Sequence, residues 1–320
     1  MEHRIKHIEI MPYNPNWPSM FELEAAIIKQ TITNNVINIY HIGSTSVPGL
    51  KAKQDLDILC VVKNLPDSLL LDKAGYLFKG ELNIPLRYYF SKNTTQSKVN
   101  LHVVEEDHGF IARNLCFREY LREHKDVCLE YANLKEQLLQ DPYSYQRHNL
   151  TFTNYSLGKH RFIKNVLEKA GFTSSCIGFC MHNDEWESYH YIKEQQIFNP
   201  INVTYDRNHP SITAENNYHF VLYKGVNIVS VAQIELLKDP EVMALRSLAT
   251  DSPYKQQGYG SYIMKTIEQW GKYKERKFIK MHARLSAEQF YRNLGYSNML
   301  FDDPSIQKEY IDLGKELNEN

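Results

Sequence analysis

Two short stretches of the sequence hold residue types whose spacing could bind a phosphate group. One reads YKQQGYGSYIM at residues 254–264, and the other reads HIGSTSVPGLKAKQDLDI at residues 41–58. Backbone N–H groups at the start of a helix attract anions, and carboxylates two positions apart on a strand can share one cation. What the chain does therefore depends on which of the two stretches performs chemistry.

The glycines of the first stretch lie just ahead of a helical pattern. Ile263, Ile267 and Trp270 recur at helical spacing, so Gly258 and Gly260 are expected at or near the start of the helix. The first N–H groups of a helix have no partner within it, and the helix dipole favours an anion there. Glycine also lets a bulky pyrophosphate approach the backbone. The two glycines alone favour an ordinary turn, and the context of a strand, a loop with Lys255 and then a helix makes a turn and a phosphate cradle about equally expected.

The segment further downstream distinguishes these two interpretations. SAEQFYRNLGY, residues 286–296, puts apolar side chains on one helical face with Tyr291 beside them. Together with LRSLATDSPYKQQGYGS, residues 245–261, it resembles the GNAT superfamily of acetyl-CoA-dependent N-acetyltransferases. The resemblance covers about residues 173–320 and implies a GNAT-type acyl-CoA N-acyltransferase fold.

The GNAT resemblance also implies roles for individual residues. Tyr291 would donate a proton to the departing thiolate, a task that a phenolic hydroxyl can perform. The chain departs from the family's pattern at Lys255, where the pyrophosphate loop usually begins with Arg or Gln, and at Arg284, where Asn is frequent. The residues implied to bind acetyl-CoA are Leu248 and Ala249, beside the pantetheine arm, and Lys255, Gln256, Gln257, Gly258, Tyr259, Gly260 and Ser261, around the pyrophosphate.

Such a transfer also requires a base, because an amine must lose a proton before it attacks a thioester. Glu235 and Glu241 are expected on or beside the strands that flank the cleft, and they are the candidates for this base. His282 is a third candidate, and each of the three is equally well explained as a solvated strand residue. The stretch 181–220, rich in His, Tyr, Asn and Glu, is expected to shape the acceptor pocket.

The second stretch combines a Gly-Ser turn with a pair of carboxylates. Gly43 and Ser44 follow a predicted strand, and Asp55 and Asp57 begin the next one. Side chains two apart on a strand point to the same face, so both carboxylates can hold one Mg²⁺ that bridges to substrate phosphates. This arrangement resembles the nucleotidyltransferase superfamily related to DNA polymerase β.

The sequence around this motif is more specific. HIGSTSVPGL, NLHVV, FREYLREH and YANLK, with Lys53, Asp57 and the stretch from Tyr155 to Lys159, resemble the GrpB family throughout residues 8–170. The resemblance implies a nucleotidyltransferase-like mixed sheet with helices, in a family without an established activity. Two residues depart from the family's pattern, Gln54 and Asp55, and the second makes a two-carboxylate metal site more plausible.

The implied nucleotide site lacks one expected group. Two-metal nucleotidyl transfer normally uses a third carboxylate on a neighbouring strand, whereas KVNLHVVEE offers Asn100 and His102 on one face. His102 could orient a phosphate and could equally be a core histidine. The candidate residues are Gly43, Ser44, Lys53 and His102 for phosphate, Asp55 and Asp57 for Mg²⁺, and Arg118, Arg122 and Lys159 as further basic lining.

The length and composition fit two globular α/β (α+β) domains. The 320 residues are 42% hydrophobic and 23% charged, and we place the boundary at Gly171, which gives domains 1–171 and 172–320. Ser286 and Gln289 have the spacing of a capping box at the start of the last predicted helix. Helices are predicted over 18–32, 113–139, 155–170 and 258–270 and from Ser286, and strands over 36–42, 56–62, 98–104, 226–237, 241–249 and 277–283.

The composition also excludes several classes of function. A net charge of −1 argues against nucleic acid as the main partner. No run approaches the ~18 apolar residues that span a bilayer, and the N-terminus lacks the apolar core of a signal peptide. The 5 cysteines have no zinc-binding spacing, so we expect reduced thiols in a cytoplasmic protein.

These patterns predict an enzyme that moves an acetyl group from acetyl-CoA to a primary amine of a small molecule. Direct attack is expected, because no cysteine nucleophile accompanies the glycine stretch. One alternative is Mg²⁺-dependent nucleotidyl transfer or nucleotide binding in the first domain. Another is a chain that only senses coenzyme A or a nucleotide and catalyses nothing.

Overall fold

The computed structural model describes residues 8–148, 152–303 and 310–317. The chain divides into two compact units, Met1–Cys176 and Ile177–Asn320, which meet a few residues beyond the boundary placed from the sequence. A five-stranded sheet lies in the first unit and a seven-stranded sheet in the second. The protein therefore has the two-domain α/β architecture with mixed sheets that the sequence predicts.

The first unit is built on a mixed sheet with the strand order β1-β2-β5-β4-β3. Strands β2 and β5 are parallel, and the other neighbouring pairs are antiparallel. The elements of this unit are α1 (Trp17–Thr31), β1 (Val36–Ile42), β2 (Asp55–Val62), β3 (Leu77–Phe78), β4 (Arg87–Asn93), β5 (Lys98–Glu105), α2 (Gly109–Glu123), α3 (Lys125–Gln140), β6 (Arg147–His148), β7 (Phe152–Thr153), α4 (Asn154–Leu157) and α5 (His160–Lys169).

The core of the first unit explains where its functional residues lie. β2 lies between β1 and β5, so its apolar residues are buried on both faces and only its first residues, Asp55 and Asp57, are polar. Helices α2, α3 and α5 pack with the turn after β1 in a cluster that includes Val47, Leu121 and Val166. The carboxylates therefore lie at the edge of a rigid core.

Three predictions for this unit are wrong in detail. The helix expected over 155–170 is interrupted after Leu157, so α4 and α5 are separate helices. The single helix expected over 113–139 is two helices, because the backbone at His124 is extended, with φ −118° and ψ 90°. The His124 ring stacks on Tyr120 and donates from Nδ1 to the Tyr120 carbonyl at 2.8 Å, which holds the break. The strand at 36–42 is mostly half-buried rather than buried, because β1 is an edge strand.

The second unit is built on a sheet with the strand order β13-β14-β12-β11-β10-β9-β8. Its large aromatic core surrounds Trp270, which packs against Phe179, Tyr218 and Phe220. The elements are β8 (Ser175–Phe179), α6 (Asn183–Lys193), β9 (Asn217–Lys224), β10 (Asn227–Leu236), β11 (Val242–Thr250), α7 (Tyr259–Tyr273), β12 (Phe278–Arg284), α8 (Glu288–Asn293), β13 (Ser297–Asn298) and β14 (Tyr310–Glu316).

The predicted capping box at Ser286 does not form. A 3₁₀ turn occupies Leu285–Ala287, and α8 begins at Glu288 without a side-chain cap. Gln289 instead donates from Nε2 to Oδ1 of Asn293 at 2.8 Å, so it is not available to close the box.

The two parallel strands of the second unit pair over a short length only. Val242–Ala244 of β11 pair with Phe278–Lys280 of β12, and the described residues beyond them do not pair with each other. β11 also bulges against β10, because Gln233 pairs with Ser247 and Ile234 with Leu245, which leaves Arg246 as the extra residue. The strands therefore diverge from the bulge onward and leave a gap between their carboxyl ends.

No helix within residues 8–148, 152–303 and 310–317 combines the length and apolarity that crossing a membrane needs.

Candidate functional site

The loop after β11 presents backbone N–H groups at the start of α7. Gln256 and Gly258 both have left-handed backbones, with φ 61° and 84°. The N–H of Tyr262 donates to the carbonyl of Gly258 at 2.9 Å and starts the helical ladder. The N–H groups of Tyr259, Gly260 and Ser261 therefore precede that ladder and have no partner within the helix.

Glycine is required at the two positions of this loop for different structural reasons. A side chain on Gly258 would meet nothing within 4 Å, so the left-handed backbone is the reason for glycine, and the space beside it is open. A Cβ on Gly260 would lie 3.3 Å from the ring of Phe290, so there the close approach of α8 is the reason. An anion could reach the loop at Gly258 without displacing a side chain.

The gap between β11 and β12 opens beside the same loop. Leu248 and Ala249 lie beyond the bulge and pair with Ala232 and Val231 of β10. Successive residues of a strand bond to opposite edges, and the Ala249 carbonyl accepts from Oγ of Ser230 on β10 at 2.9 Å. The backbone groups of Leu248 therefore face away from β10, on the side where β12 has diverged. Backbone groups left unpaired in this way can bond an extended ligand that carries its own amides.

Tyr291 of α8 is buried, with 8% of its surface exposed. Its ring meets Phe290 and Tyr296 edge-on, at centroid distances of 5.0 Å and 5.7 Å. Burial raises the pKa of its hydroxyl well above the usual range, which keeps the proton on the oxygen at neutral pH. A hydroxyl in this state can donate a proton but cannot act as a base.

The structure argues against both predicted glutamate bases. Oε2 of Glu235 accepts from Nε of Arg246 at 2.6 Å, and its Oε1 accepts from Asn216 at 3.0 Å, so both oxygens are engaged. Glu241 precedes the first residue of β11, whereas the loop follows the last residue of that strand, and its carboxylate pairs with Lys277. Glu241 therefore lies at the wrong end of the strand.

His282, the third candidate, lies on the diverged part of β12. Its Nδ1 donates to Oδ1 of Asp312 on β14 at 2.8 Å, and Asp312 also accepts from the N–H of Phe301. Nε2 of His282 is buried without a hydrogen-bond partner among the described residues. A proton fixed on Nδ1 leaves the lone pair on Nε2, which is the arrangement that a general base requires.

The stretch 181–220 covers the ends of both diverging strands. A π-helical turn at Glu194–Phe198 continues from α6. Its Ile197 carbonyl accepts from Nη2 of Arg284, at the end of β12, at 2.7 Å. Its Gln196 accepts from Ser252, just after β11, at 3.2 Å. Such turns are frequent at functional sites, and this one forms a wall at the open end of the gap.

In the first unit, the predicted Gly-Ser turn packs directly on one of the predicted metal ligands. Gly43 has φ 70°, and a Cβ there would lie 2.3 Å from Oδ2 of Asp57. Oδ1 of Asp57 accepts from Nδ2 of Asn100 at 3.0 Å. Burial raises the pKa of Asp57, and the Asn100 bond opposes that rise. The turn thus shields one oxygen of this carboxylate while Asn100 occupies the other.

The carboxylate pair does not fit a two-metal centre. The residues of β5 beside Asp55 and Asp57 are Lys98 and Asn100, so the neighbouring strand supplies no third carboxylate. His102, which was predicted to orient a phosphate, is instead packed in the core. Its ring lies between those of Tyr89 and Phe110, and each ring centroid is 5.3 Å from that of His102. Burial lowers the pKa of His102 well below the usual range, with a smaller effect from Arg87, as expected for a neutral core histidine.

The two arginines predicted to line the pocket instead hold the backbone of the turn. Arg118 donates from Nη1 to the carbonyl of His41, and Arg122 donates from Nη2 to the carbonyl of Ser46, each at 2.7 Å. They therefore fix the chain on both sides of Ser44 rather than presenting their charge to a ligand there.

The sequence analysis missed one residue that contacts this turn. Nζ of Lys135, on α3, donates to Oγ of Ser44 at 3.3 Å and to the carbonyl of Lys51. A lysine in an amphipathic helix has no local signal for such a role, because helical lysines normally face solvent. Lys53 and Lys159, which were expected near the turn, both lie over the ring of Tyr155.

Comparison with known proteins assigns a family to each half of the chain. Residues 7–169 match the model of the GrpB protein family, and residues 179–296 match the model of the acetyltransferase (GNAT) family. These matches bear out both resemblances drawn from the sequence.

Individual relatives are similar to parts of the chain. UPF0157 protein YqkA of Bacillus subtilis is 35% identical over 169 residues, which are 52% of this chain and 48% of YqkA, so the match spans about half of that relative. The crystal structure of GrpB from Enterococcus faecalis is 34% identical, with a TM-score of 0.44 over 51% of this chain and 96% of that one. A putative N-acetyltransferase from Lactobacillus plantarum is 17% identical, with a TM-score of 0.40 over 45% of this chain and 99% of that one.

Proposed function

This chain belongs to the GrpB protein family and carries a GNAT acetyltransferase domain behind its GrpB domain, and we propose that it transfers an acetyl group from acetyl-CoA to a primary amine. The GNAT domain makes it an acyltransferase in the general sense. The proposal adds that the acyl group is acetyl, that the acceptor is a small molecule, and that the amine attacks the thioester directly.

The observation that carries the proposal is the gap between β11 and β12 beside the open start of α7. The gap leaves backbone groups of Leu248, beside Ala249, on a strand edge where a pantetheine arm could bond. The N–H groups of Tyr259 to Ser261 are suited to the pyrophosphate. An extended amide chain with a pyrophosphate at one end is the chemistry that both features would recognise.

Two side chains can accept and donate the protons that the reaction transfers. The amine nitrogen forms a bond to the thioester carbonyl carbon while its proton passes to Nε2 of His282, whose other nitrogen is held by Asp312. The bond from carbon to sulfur then breaks, and the hydroxyl of Tyr291 would give its proton to the thiolate. Every proton therefore has a donor and an acceptor without a covalent acyl-enzyme.

The wall at the open end of the gap supports a small acceptor. The π-helical turn at Glu194–Phe198 is bonded to both strand ends, through Arg284 and Ser252. A fixed wall restricts the approach to the gap more than an open groove does. A small amine can enter past such a wall more readily than a folded protein surface can.

Calorimetric titration with acetyl-CoA tests the binding site. At Gly258 two nearly isosteric residues separate charge from shape, because both Asn and Asp tolerate the left-handed backbone. We expect Gly258→Asp to bind acetyl-CoA at least tenfold more weakly than Gly258→Asn, since only Asp adds a negative charge beside the pyrophosphate. Equal affinities for the two variants would contradict the assignment of the loop.

A screen of primary amines with acetyl-CoA then tests the reaction. Release of free coenzyme A together with an acetylated amine supports the proposed acetyltransferase activity. Tight acetyl-CoA binding without turnover of any amine in a broad panel would instead support a non-catalytic coenzyme A sensor.

A further inference from the structure

Three lysines from three separate segments come together near the Gly-Ser turn of the first unit. Lys135 of α3 contacts Ser44 directly, and its ammonium also lies 4.8 Å from the ring centroid of Tyr131. Lys53 precedes β2, and Lys159 precedes α5. Their ammonium groups lie 5.0 Å and 4.7 Å from the ring centroid of Tyr155. We call Lys53, Lys135 and Lys159 with Ser44 the lysine cluster.

The charges of the lysine cluster act on one another. Lys135 is 2% exposed, and burial, followed by the charge of Lys159, lowers its pKa to about 7. Burial, followed by the charge of Lys53, lowers the pKa of Lys159 to about 8. Holding like charges together in a partly desolvated place costs free energy, and an anion placed among them would recover it.

The part of the chain that the structure describes supplies no direct counter-ion to these three groups. Within residues 8–148, 152–303 and 310–317, none of the three forms an ion pair with a carboxylate, although half-buried Lys92 of the same unit pairs with Glu24 at 2.9 Å. Asp55 and Asp57 act on Lys159 only at longer range. Asp57 is moreover engaged by Asn100 and shielded by Gly43, as described above.

We propose that the lysine cluster binds a phosphate group, and that it does so without a divalent metal. Three ammonium groups that arrive from different segments, one of them in contact with the hydroxyl of Ser44, suit a multiply charged anion with several oxygens. A single carboxylate has fewer oxygens and less charge to engage them. The proposal is independent of acetyl transfer, because the lysine cluster lies wholly in the first unit.

Calorimetric titration of the full chain with pyrophosphate in the presence of EDTA tests this proposal. We expect saturable binding that weakens at least tenfold in Lys135→Met and in Lys159→Met. Methionine keeps the length and apolar stem of lysine and removes only the charge. Lys125→Met is the matched control, since it removes the same charge from an exposed position of the same helix and should bind as wild type does.

Parallel titrations with inorganic phosphate and with ATP distinguish the source of the phosphate. Tighter binding of ATP than of pyrophosphate, lost in the lysine variants, would extend the site to nucleotides. Binding of pyrophosphate alone would support a simple phosphate or pyrophosphate ligand.

Three results would overturn the proposal. The first is no saturable binding of any of these anions by wild type. The second is binding only with Mg²⁺, lost in Asp55→Asn with Asp57→Asn, which would make the carboxylates a metal site after all. The third is binding that survives both lysine variants and is lost in Gly258→Asp, which would place the anion at the loop before α7. Retained acetyl-CoA binding in the lysine variants shows that the second unit is still folded, and hydrogen exchange of β2 amides reports the same for the first.

Discussion

Nδ1 of His282 lies 2.8 Å from Oδ1 of Asp312, although thirty positions separate the two residues in sequence. The pair connects adjacent strands β12 and β14, where these two residues are direct partners in the register. Because Nδ1 donates to the carboxylate, the ring is fixed with its other nitrogen available as an acceptor. β12, which borders the gap, thus carries an imidazole whose orientation is fixed by Asp312 and by stacking on Phe301.

Removal of this imidazole should slow acetyl transfer without weakening cofactor binding. We expect His282→Gln to lower kcat by about 10²–10⁴-fold with the acceptor found in the amine screen, because general base catalysis contributes about that much. Its acetyl-CoA Kd should not change.

Asp312→Asn should produce a smaller loss of the same kind, since it leaves the ring in place but no longer holds one tautomer. Asp302→Asn is the control, because it removes an exposed carboxylate from a nearby position. If His282→Gln leaves kcat unchanged, or weakens acetyl-CoA binding as much as it lowers kcat, His282 serves the structure and the base is another group.

Tyr291 and Tyr296 form a matched pair for testing the general acid. Tyr291→Phe should keep both acetyl-CoA binding and the free energy of unfolding, because its hydroxyl has no hydrogen-bond partner among the described residues, and kcat should fall by about 10²-fold or more. Tyr296 donates to Oε1 of Glu268 at 3.0 Å, so Tyr296→Phe should lose stability, by about 1 kcal/mol, and keep kcat. If Tyr291→Phe keeps kcat while Tyr296→Phe lowers it, Tyr291 is excluded as the proton donor.

The local pattern of the second unit was sufficient to predict three of the seven strands in its sheet and the loop before α7. β10, β11 and β12 lie within one or two residues of the predicted ranges, because apolar runs bounded by polar turns specify buried strands. The base could not be found in this way. Asp312 lies on a strand that the sequence pattern did not indicate, and only the pairing of β14 with β12 brings it to His282.

The first unit shows the same limit. Ser44 was identified from its turn, whereas Lys135 was not, since 91 positions separate them and nothing in the helix marks that lysine. Glu235 illustrates the converse error. Its place on the strand was predicted well, but the ion pair with Arg246 that engages it follows from a bulge, and no local sequence signal indicated that bulge.

The contact between Gly43 and Asp57 can be measured by comparing two glycines. Gly43→Ala should destabilise the first unit by strain in its left-handed backbone, about 1–2 kcal/mol, and by a clash with Oδ2 of Asp57, about 1–3 kcal/mol more. Gly49→Ala has the strain without the clash, since φ is 82° and a Cβ would meet nothing within 4 Å. Hydrogen exchange of β2 amides measures the free energy of unfolding of both variants. Equal losses of stability would show that the turn does not contact Asp57 closely.

The lysine cluster should bind anions more weakly as the pH rises. Sulfate is a suitable probe, because it does not change its own charge near neutral pH. Below pH 7 both Lys135 and Lys159 carry a proton, and their charges are lost as the pH rises through about 7 and then about 8. The Kd for sulfate should therefore increase from about pH 6 to about pH 9, by at most about tenfold per pH unit for each lysine that must take up a proton on binding.

The variant Lys135→Met shows which lysine causes each of the two parts of this pH dependence. The variant should lose the part near pH 7 and keep the part near pH 8, because burial and the charge of Lys53, not Lys135, lower the pKa of Lys159. Among the other titratable groups that act on Lys135, Cys128 and Glu136 raise its pKa and would delay the first step, whereas Lys53 lowers it. A sulfate Kd that is constant between pH 6 and pH 9 in wild type would mean that these lysines do not bind the anion.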